Sequence, residues 1–302
     1  MRIAPPGLSS LPRTVSPFPG ETIDSYLTRL AHANRLDTRA LRCYIAGRRD
    51  RVPPFPADRL ATATGLPAST LIRAIPDLGF GYGPLDHNPP NESGYPQRKA
   101  DDGPPCRLCV AARGITVPVR CWKRPENVIC LRHRRWIGRA SEDSQPDLSA
   151  QPVIIQAHKR HLRLVRRHGR EATAFAFAVA ERICQRWHGL GRHDVELREL
   201  MLAFHGPRWQ EFAGGPTAAA AAYPQAVALA RLLASPHWQA TSARGRRAFC
   251  AEVRRTAAPG YIFPPPARPT DPLWTWIGER YLPNHARGHF GYHTWPALGA
   301  TT

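Results

Sequence analysis

Four residues in the middle of the chain have the types and spacing of a metal site. Cys106 and Cys109 are separated by two residues, twenty more follow, and Cys130 and His133 repeat the two-residue spacing. Each pair can present two ligands from one tight turn, and three thiolates with one imidazole match the tetrahedral N/S preference of zinc. A closed Cys3His set leaves no open coordination position, so a single Zn2+ is expected to be structural and to supply much of the stability of so small a module. Cys121 lies inside the intervening loop with no partner at knuckle spacing, and is expected as a buried neutral thiol. His285, His289 and His293 recur every four residues, but Gly288 and Gly291 interrupt any helix there, so no second metal site is expected.

The segment around these ligands is strongly basic. From Arg107 to Arg139 there are nine Lys/Arg and one acid, Glu126. Lys123, Arg124, Arg132, Arg134 and Arg135 are candidate phosphate contacts, a class that gives salt-dependent, sequence-independent affinity. Trp122 and Trp136, interleaved with these charges, are read as local core. A second stripe, Lys159–Arg170, holds six Lys/Arg and no acid. Within it Lys159, Arg160, Arg163, Arg167 and Arg170 are candidates, the last four at helical spacing on one face. Such a helix suits a duplex or RNA backbone, or an acidic protein partner, and the sequence does not separate these.

The whole chain has the same bias. Its 302 residues carry 42 Lys+Arg against 23 Asp+Glu, a formal charge of +19. That makes a polyanion the expected partner, nucleic acid rather than a membrane, since no basic helix carries the aromatic and leucine face needed to lie on lipid. No apolar run reaches the roughly 20 residues of a spanning helix, and nothing near Met1 reads as a signal peptide. The expected location is the cytoplasm, where seven cysteines are more readily ligands or core than a disulfide framework. Cys43, Cys184 and Cys250 fall in apolar-periodic stretches and are expected to be buried. Phosphodiester chemistry would need clustered carboxylates; Asp101-Asp102 and Glu142-Asp143 stand in apparent loops without partners, and no catalytic residue is assigned.

The elements that must position these side chains are mainly α-helical. Residues 1–16 read as a flexible arm. Thr22 is expected to cap a first helix with Ile23, Tyr26, Leu27, Leu30 and Ala31 on its apolar face, and Asp37 or Thr38 to cap a second through Leu41 and Ile45. Leu30–Ile45 aligns with Leu60–Ile75 at an offset of 30 residues, with Gly65 suited to a left-handed turn and Asn34 an acceptable substitute. Each copy reads as helix, turn, helix. That pattern specifies equally a DNA-reading pair, with Arg39, Arg42, Ser69, Thr70 and Arg73 facing outward, and an ordinary packed hairpin. Four regions follow: a helix-turn-helix-like domain over 17–78, a linker over 79–104, the zinc-binding module over 105–139, and, after a polar connector, a helical domain over 153–302. In that domain helices are expected over Ala157–His168, Ala172–Leu190, Thr217–Ala234 and Ser242–Ala257, with a proline- and aromatic-rich tail packed over them.

The run from Pro17 to Ala31, Pro-Phe-Pro-Gly-Glu-Thr-Ile-Asp-Ser-Tyr-Leu-Thr-Arg-Leu-Ala, resembles the opening motif of the TniQ/TnsD family: a proline-rich turn, a glutamate, a serine-aromatic pair and an Arg-Leu-Ala. The order of helical pairs, C-x2-C and C-x2-H knuckles and helical remainder is similar too, over roughly residues 15–140. The later helices, with Tyr223-Pro224 and the stretch from Leu232, look like those of short actinobacterial members. The resemblance implies an accessory protein that selects or licenses a transposition target. It would bind double-stranded DNA, or bridge a transposase, a AAA+ ATPase or an RNA-guided targeting complex, with homodimerisation possible in such a role. It also implies that Cys106, Cys109, Cys130 and His133 are the zinc ligands. The chain departs from the family where Leu131-Arg132-His133-Arg134 replaces a proline- and glycine-bearing knuckle, and in lacking a further C-x2-C pair after His133. A free-standing transcriptional regulator with the same parts is the alternative.

Overall fold

The computed structural model describes residues 8–47, 55–79, 102–138, 140–192, 195–240, 245–260, 271, 273–274 and 276–277. Among them, two compact units form: one from Met1–Asn91, Pro96–Arg124 and Ala140–Asp143, the other from Pro125–Arg139 and Ser144–Thr302.

The first unit begins with two helical pairs. Helices α1 (Ile23–Asn34) and α2 (Thr38–Ala46) are followed by α3 (Ala57–Thr64) and α4 (Ala68–Ala74). Thr22 caps α1 through its side chain, which accepts from Ser25 N–H, and Asp37 caps α2 by accepting from Ala40 N–H. The expected repeat is present and keeps its offset through the turn, but the residue at the left-handed position of the first copy differs from the one expected. The left-handed C-cap is Arg35 (φ 55°), at the offset of 30 from Gly65 (φ 69°), and not Asn34. Asn34 stays helical and spends its amide elsewhere: Nδ2 donates to Arg13 O and Leu30 O, and Oδ1 accepts from Arg13 N–H. The apolar faces of the four helices meet in one core containing Tyr26, Leu27, Leu30, Leu41, Ile45, Leu60, Leu71 and Ile75.

The arm is corrected from residue 8 onward. Leu8, Leu11 and Val15 pack on that core, Leu11 N–H donates to Ala63 O, and Thr14 Oγ1 donates to Thr64 O. Residues 1–7 lie outside the described residues. The linker also ends earlier than expected, because Asp102–Gly103 is a strand, β1, paired antiparallel with β2 (Cys121–Trp122). Between them runs the short helix α5 (Arg107–Ala111).

A buried carboxylate ties these parts together. Gly20 turns the chain in the left-handed region (φ 79°), which directs Glu21 inward to zero exposure. Its carboxylate accepts from Phe18 N–H (2.8 Å), Ser25 Oγ (2.9 Å) and Arg29 Nη1 (2.6 Å). Ser25 Oγ in turn accepts from Arg120 N–H. Thr22 N–H donates to Arg120 O and Trp122 N–H to Gly20 O, so β2 is laced to the turn that starts α1. Asp77 closes the far side, accepting from Ile23 N–H (2.9 Å) and Trp122 Nε1 (2.8 Å); burial raises its carboxyl above the ordinary range.

In the second unit the hairpin β3 (Ile129–Cys130) and β4 (Arg135–Trp136) precedes α6 (Pro152–His168), α7 (Arg170–Gly189), α8 (Val195–His205), a 3-10 segment (Gly206–Phe212), α9 (Pro216–Leu233), α10 (Pro236–Ala240) and α11 (Arg246–Thr256). Helix α9 is the centre, packed against α6, α7, α8, α10 and α11. It continues through Pro224, as the helix expected over Thr217–Ala234 does. The proline removes one backbone donor, at about 3 kcal/mol, and burial of Tyr223, Val227, Leu229, Leu232 and Leu233 around it offsets that cost. The described tail residues Leu273, Trp274, Trp276 and Ile277 are buried, anchored by Asp271, which accepts from Leu273 N–H and Trp187 Nε1. Cys184 and Cys250 are buried as expected, whereas Cys43 is exposed, because α2 turns Leu41 and Ile45 inward and leaves the intervening position on its outer edge.

The Glu21–Arg29 pair predicts a large local cost. Glu21→Ala strands a buried guanidinium and two further donors, and is expected to lower stability by about 3–5 kcal/mol. Urea denaturation followed by circular dichroism checks it; a loss under about 1 kcal/mol would contradict the network's role.

Candidate metal centre

Each half of the Cys/His set is shaped by its own turn. Pro104 and Pro105 lead into Cys106, whose carbonyl accepts from Cys109 N–H (3.0 Å) and Val110 N–H (3.1 Å), so the first turn of α5 returns Cys109 toward Cys106. Lys123 Nζ holds this lead-in by donating to Pro104 O at 2.5 Å. Val110 packs with Phe18, Val119 and Cys121 beneath it. The second half sits on the β3–β4 turn, Leu131 to Arg134, where Cys130 pairs with Arg135 across the hairpin. Arg134 adopts the left-handed region (φ 48°), a conformation that glycine takes freely and that costs an ordinary residue about 1–2 kcal/mol. Arg134 O accepts from Leu148 N–H at 2.7 Å, which helps hold the strained turn.

Cys106, Cys109, Cys130 and His133 converge, with their ligand atoms within 4.8 Å of one another. Cys130 Sγ and His133 Nδ1 are 3.6 Å apart. Sulfur ligands around a tetrahedral zinc would stand about 3.8 Å apart, so small side-chain rotations bring the set to ligand geometry. The donor chemistry therefore fits a metal ion. Cys121 stands apart from this group: it is buried, its Sγ lies 3.8 Å from Pro19 O, and burial pushes its thiol up to about 12. His285, His289 and His293 lie outside the described residues.

The basic candidates fall into two physical classes. Arg39, Arg73, Arg132, Arg134, Lys159, Arg160, Arg163 and Arg167 are exposed and make no ion pair among the described residues. The others have structural engagements. Arg42 pairs with Asp24 and lies over the Phe55 ring, and Lys123 holds the lead-in. Arg124 is half-buried. Arg135 donates to Gln145 O and lies 3.8 Å from Asp147. Arg170 is not on the α6 stripe, because Gly169 (φ 80°) ends that helix; it opens α7 and pairs with the buried Glu126 at 2.7 Å. Arg166, which sequence reading passed over, is exposed on α6; its place seven residues after Lys159 was the available signal. The acidic doublet member Asp102 is occupied by Arg120, which reaches it with Nη2 at 2.8 Å and Nε at 3.0 Å. Trp136 is buried and meets Tyr223 edge-on at 5.3 Å.

The inner face of α6 differs sharply from the outer. His158 and His161 are buried, with Nδ1 atoms 3.2 Å and 2.8 Å from Tyr223 Oη, and His161 stacks on Phe177. A hydroxyl can donate to one imidazole and accept from the other. His161 Nε2 is buried without a hydrogen-bond partner, so the less costly tautomer has His161 Nδ1–H donating to Tyr223 and Tyr223 donating to His158.

The TniQ family model matches residues 12–136, a span that holds both helical pairs and all four ligands. Residues 12–136 are a TniQ domain. TniQ domains are associated with transposition. No curated protein and no solved structure matches the chain. The TniQ match begins inside the packed arm and ends at Trp136, so α6 to α11 lie beyond it. Among the described residues no helix is long and apolar enough to cross a membrane.

The buried imidazoles predict acid lability. Burial lowers both His158 and His161 to about 4, with nearby Glu126 opposing the shift weakly, while in the unfolded chain they titrate near 6.5. Their contribution is complete above about 6.5 and is lost as pH falls through about 4, on the order of 3 kcal/mol per imidazole. Urea midpoints compared at pH 7 and pH 4.5 should fall less for His161→Phe than for the natural chain; equal losses would remove His161 from the effect.

Proposed function

We propose that this protein is a non-catalytic, zinc-containing accessory factor that helps select or license the target site in DNA transposition. The observation that carries the reading is the TniQ match over the helical pairs and the convergent Cys3His set. Zinc is the ion of choice because three thiolates and an imidazole are soft to borderline donors in a closed set, and its task is structural. Duplex DNA is the nucleic-acid partner. The exposed cations without ion pairs are its contacts: Arg39 and Arg73 on the second helix of each pair, Arg132 and Arg134 at the second knuckle, and Lys159, Arg160, Arg163 and Arg167 on α6. Arg42, Lys123, Arg135 and Arg170, already engaged within the fold, contribute field more than contact. Contacts of this kind position the protein on phosphate and do not read bases, so target choice comes through a transposition ATPase, transposase or targeting complex.

Two measurements test this. Elemental analysis of the purified protein is expected to give one zinc per chain, lost in Cys130→Ala; folded, zinc-free natural protein would overturn the metal assignment. For DNA, Arg163→Glu with Arg167→Glu should reduce the slope of log affinity against log salt by about two. An unchanged slope would move α6 from the DNA to a protein partner.

A further inference from the structure

Helix α11 carries a cationic face that the proposed function does not use. Its buried residues are Phe249, Cys250 and Val253, and they fix which side turns inward. Arg247, Ala248, Ala251, Arg254 and Arg255 are exposed, and at 100° per residue they share one outward face about 120° wide. The one acid of the helix, Glu252, is already taken up. Its carboxylate accepts from Arg255 Nη2 (2.6 Å) and Nε (2.9 Å) and from Arg231 Nη2 (3.3 Å). Arg247 and Arg254 make no ion pair among the described residues. They stand seven residues apart, about 10.5 Å along one stripe, which is the spacing of Arg160 and Arg167 on α6.

The chemistry of this face suits phosphate. Its apolar side chains are only the methyl groups of Ala248 and Ala251. A protein interface centres on aromatic or bulky aliphatic anchors, and a helix lying on lipid needs the same. A nucleic-acid backbone asks only for cations on a surface that it can approach closely. The stripe is also separate from α6. Both helices pack on α9: α6 meets it where His158 and His161 reach Tyr223, and α11 where Glu252 reaches Arg231. Those two α9 positions, eight residues apart, differ by about 12 Å of rise and about 80° of rotation. The outward faces of α6 and α11 therefore point in different directions, and a straight duplex lying along one does not lie along the other.

We propose that α11 is a second phosphate-backbone site, so that one chain holds two duplex segments at once, one on α6 and one on α11. The site lies outside the TniQ match and rests on the proposed function only for the identity of the polyanion. Contacts through about two arginines release few counterions, so the site is weak and indifferent to sequence on its own. On two segments of one DNA molecule, binding at either face raises the effective concentration at the other.

The experiment is a titration of the full chain with a duplex of about 12 base pairs in about 50 mM salt, counting duplexes per chain by sedimentation velocity. Such a duplex is about 40 Å long and too stiff to bend round both faces. Counting per chain makes the result independent of oligomeric state. The natural chain should bind at least two, and Arg247→Glu with Arg254→Glu should bind one fewer. The same charge change at Arg186 and Arg192, exposed elsewhere in the unit, should leave the count as it was. Circular dichroism checks that each variant is folded, and Arg247→Gln with Arg254→Gln is the milder exchange if the reversal is not. An unchanged count in the α11 variant overturns the proposal, even if affinity falls, and so does an equal loss in the control. If Arg163→Glu with Arg167→Glu leaves the count unchanged while the α11 exchange lowers it, the α6 contacts fail and the α11 site stands. A natural chain that binds no duplex removes the nucleic-acid reading and this site with it.

Discussion

A carboxylate with no access to water has to be satisfied by protein donors, and Glu21 imposes that requirement on everything around it. Its oxygens take a backbone N–H from Phe18, the hydroxyl of Ser25 and the guanidinium of Arg29. Each donor comes from a different part of the opening motif, so the proline turn, the first turn of α1 and its second turn are held in one geometry. Ser25 passes the constraint on by accepting from Arg120 N–H, which locates β2 and, with it, Lys123 and the lead-in to Cys106. The motif that resembles the TniQ pattern thus works as internal framework, and its glutamate and arginine are spent inside the unit.

The same sorting of charge recurs on α6. One helix presents Lys159, Arg160, Arg163, Arg166 and Arg167 outward and His158 and His161 inward. The outer cations keep their hydration. The inner imidazoles remain neutral because burial penalises their charged form, and neutrality lets Tyr223 bridge them. Tyr223 belongs to α9, the helix on which the second unit is assembled, one residue before the proline that the surrounding packing tolerates.

At the metal centre the departure of this chain from the pattern it resembles has a structural counterpart. Arg134 occupies the left-handed position at the end of the second knuckle, and neighbouring hydrogen bonds from Leu148 and to Gln145 stand where a glycine would have removed the strain. The turn still brings His133 to within 3.6 Å of Cys130. The ligand set is therefore compatible with a basic, glycine-free knuckle.

What the sequence by itself determined is local. The C-x2-C and C-x2-H spacings, the caps at Thr22 and Asp37, the 30-residue repeat and the periodic faces of α1, α6, α7 and α9 all follow from the reach of a few residues along one backbone, and each is present in the fold. Partnership across long separations was not legible. Periodicity placed His158 and His161 on the basic helix but could not say that Tyr223 covers them, and charge counting treated Arg42 and Arg170 as free cations until Asp24 and Glu126 came within reach. It also took Cys43 for core, since an apolar segment does not reveal which of its edges meets a neighbour. Helix α8 escaped notice for the same reason: its stripe is only partly buried, and which half faces inward depends on α9. Tertiary structure decided these cases because burial and ion pairing depend on distances in space, and residues 18 to 65 positions apart in the chain acquire those only when the helices pack.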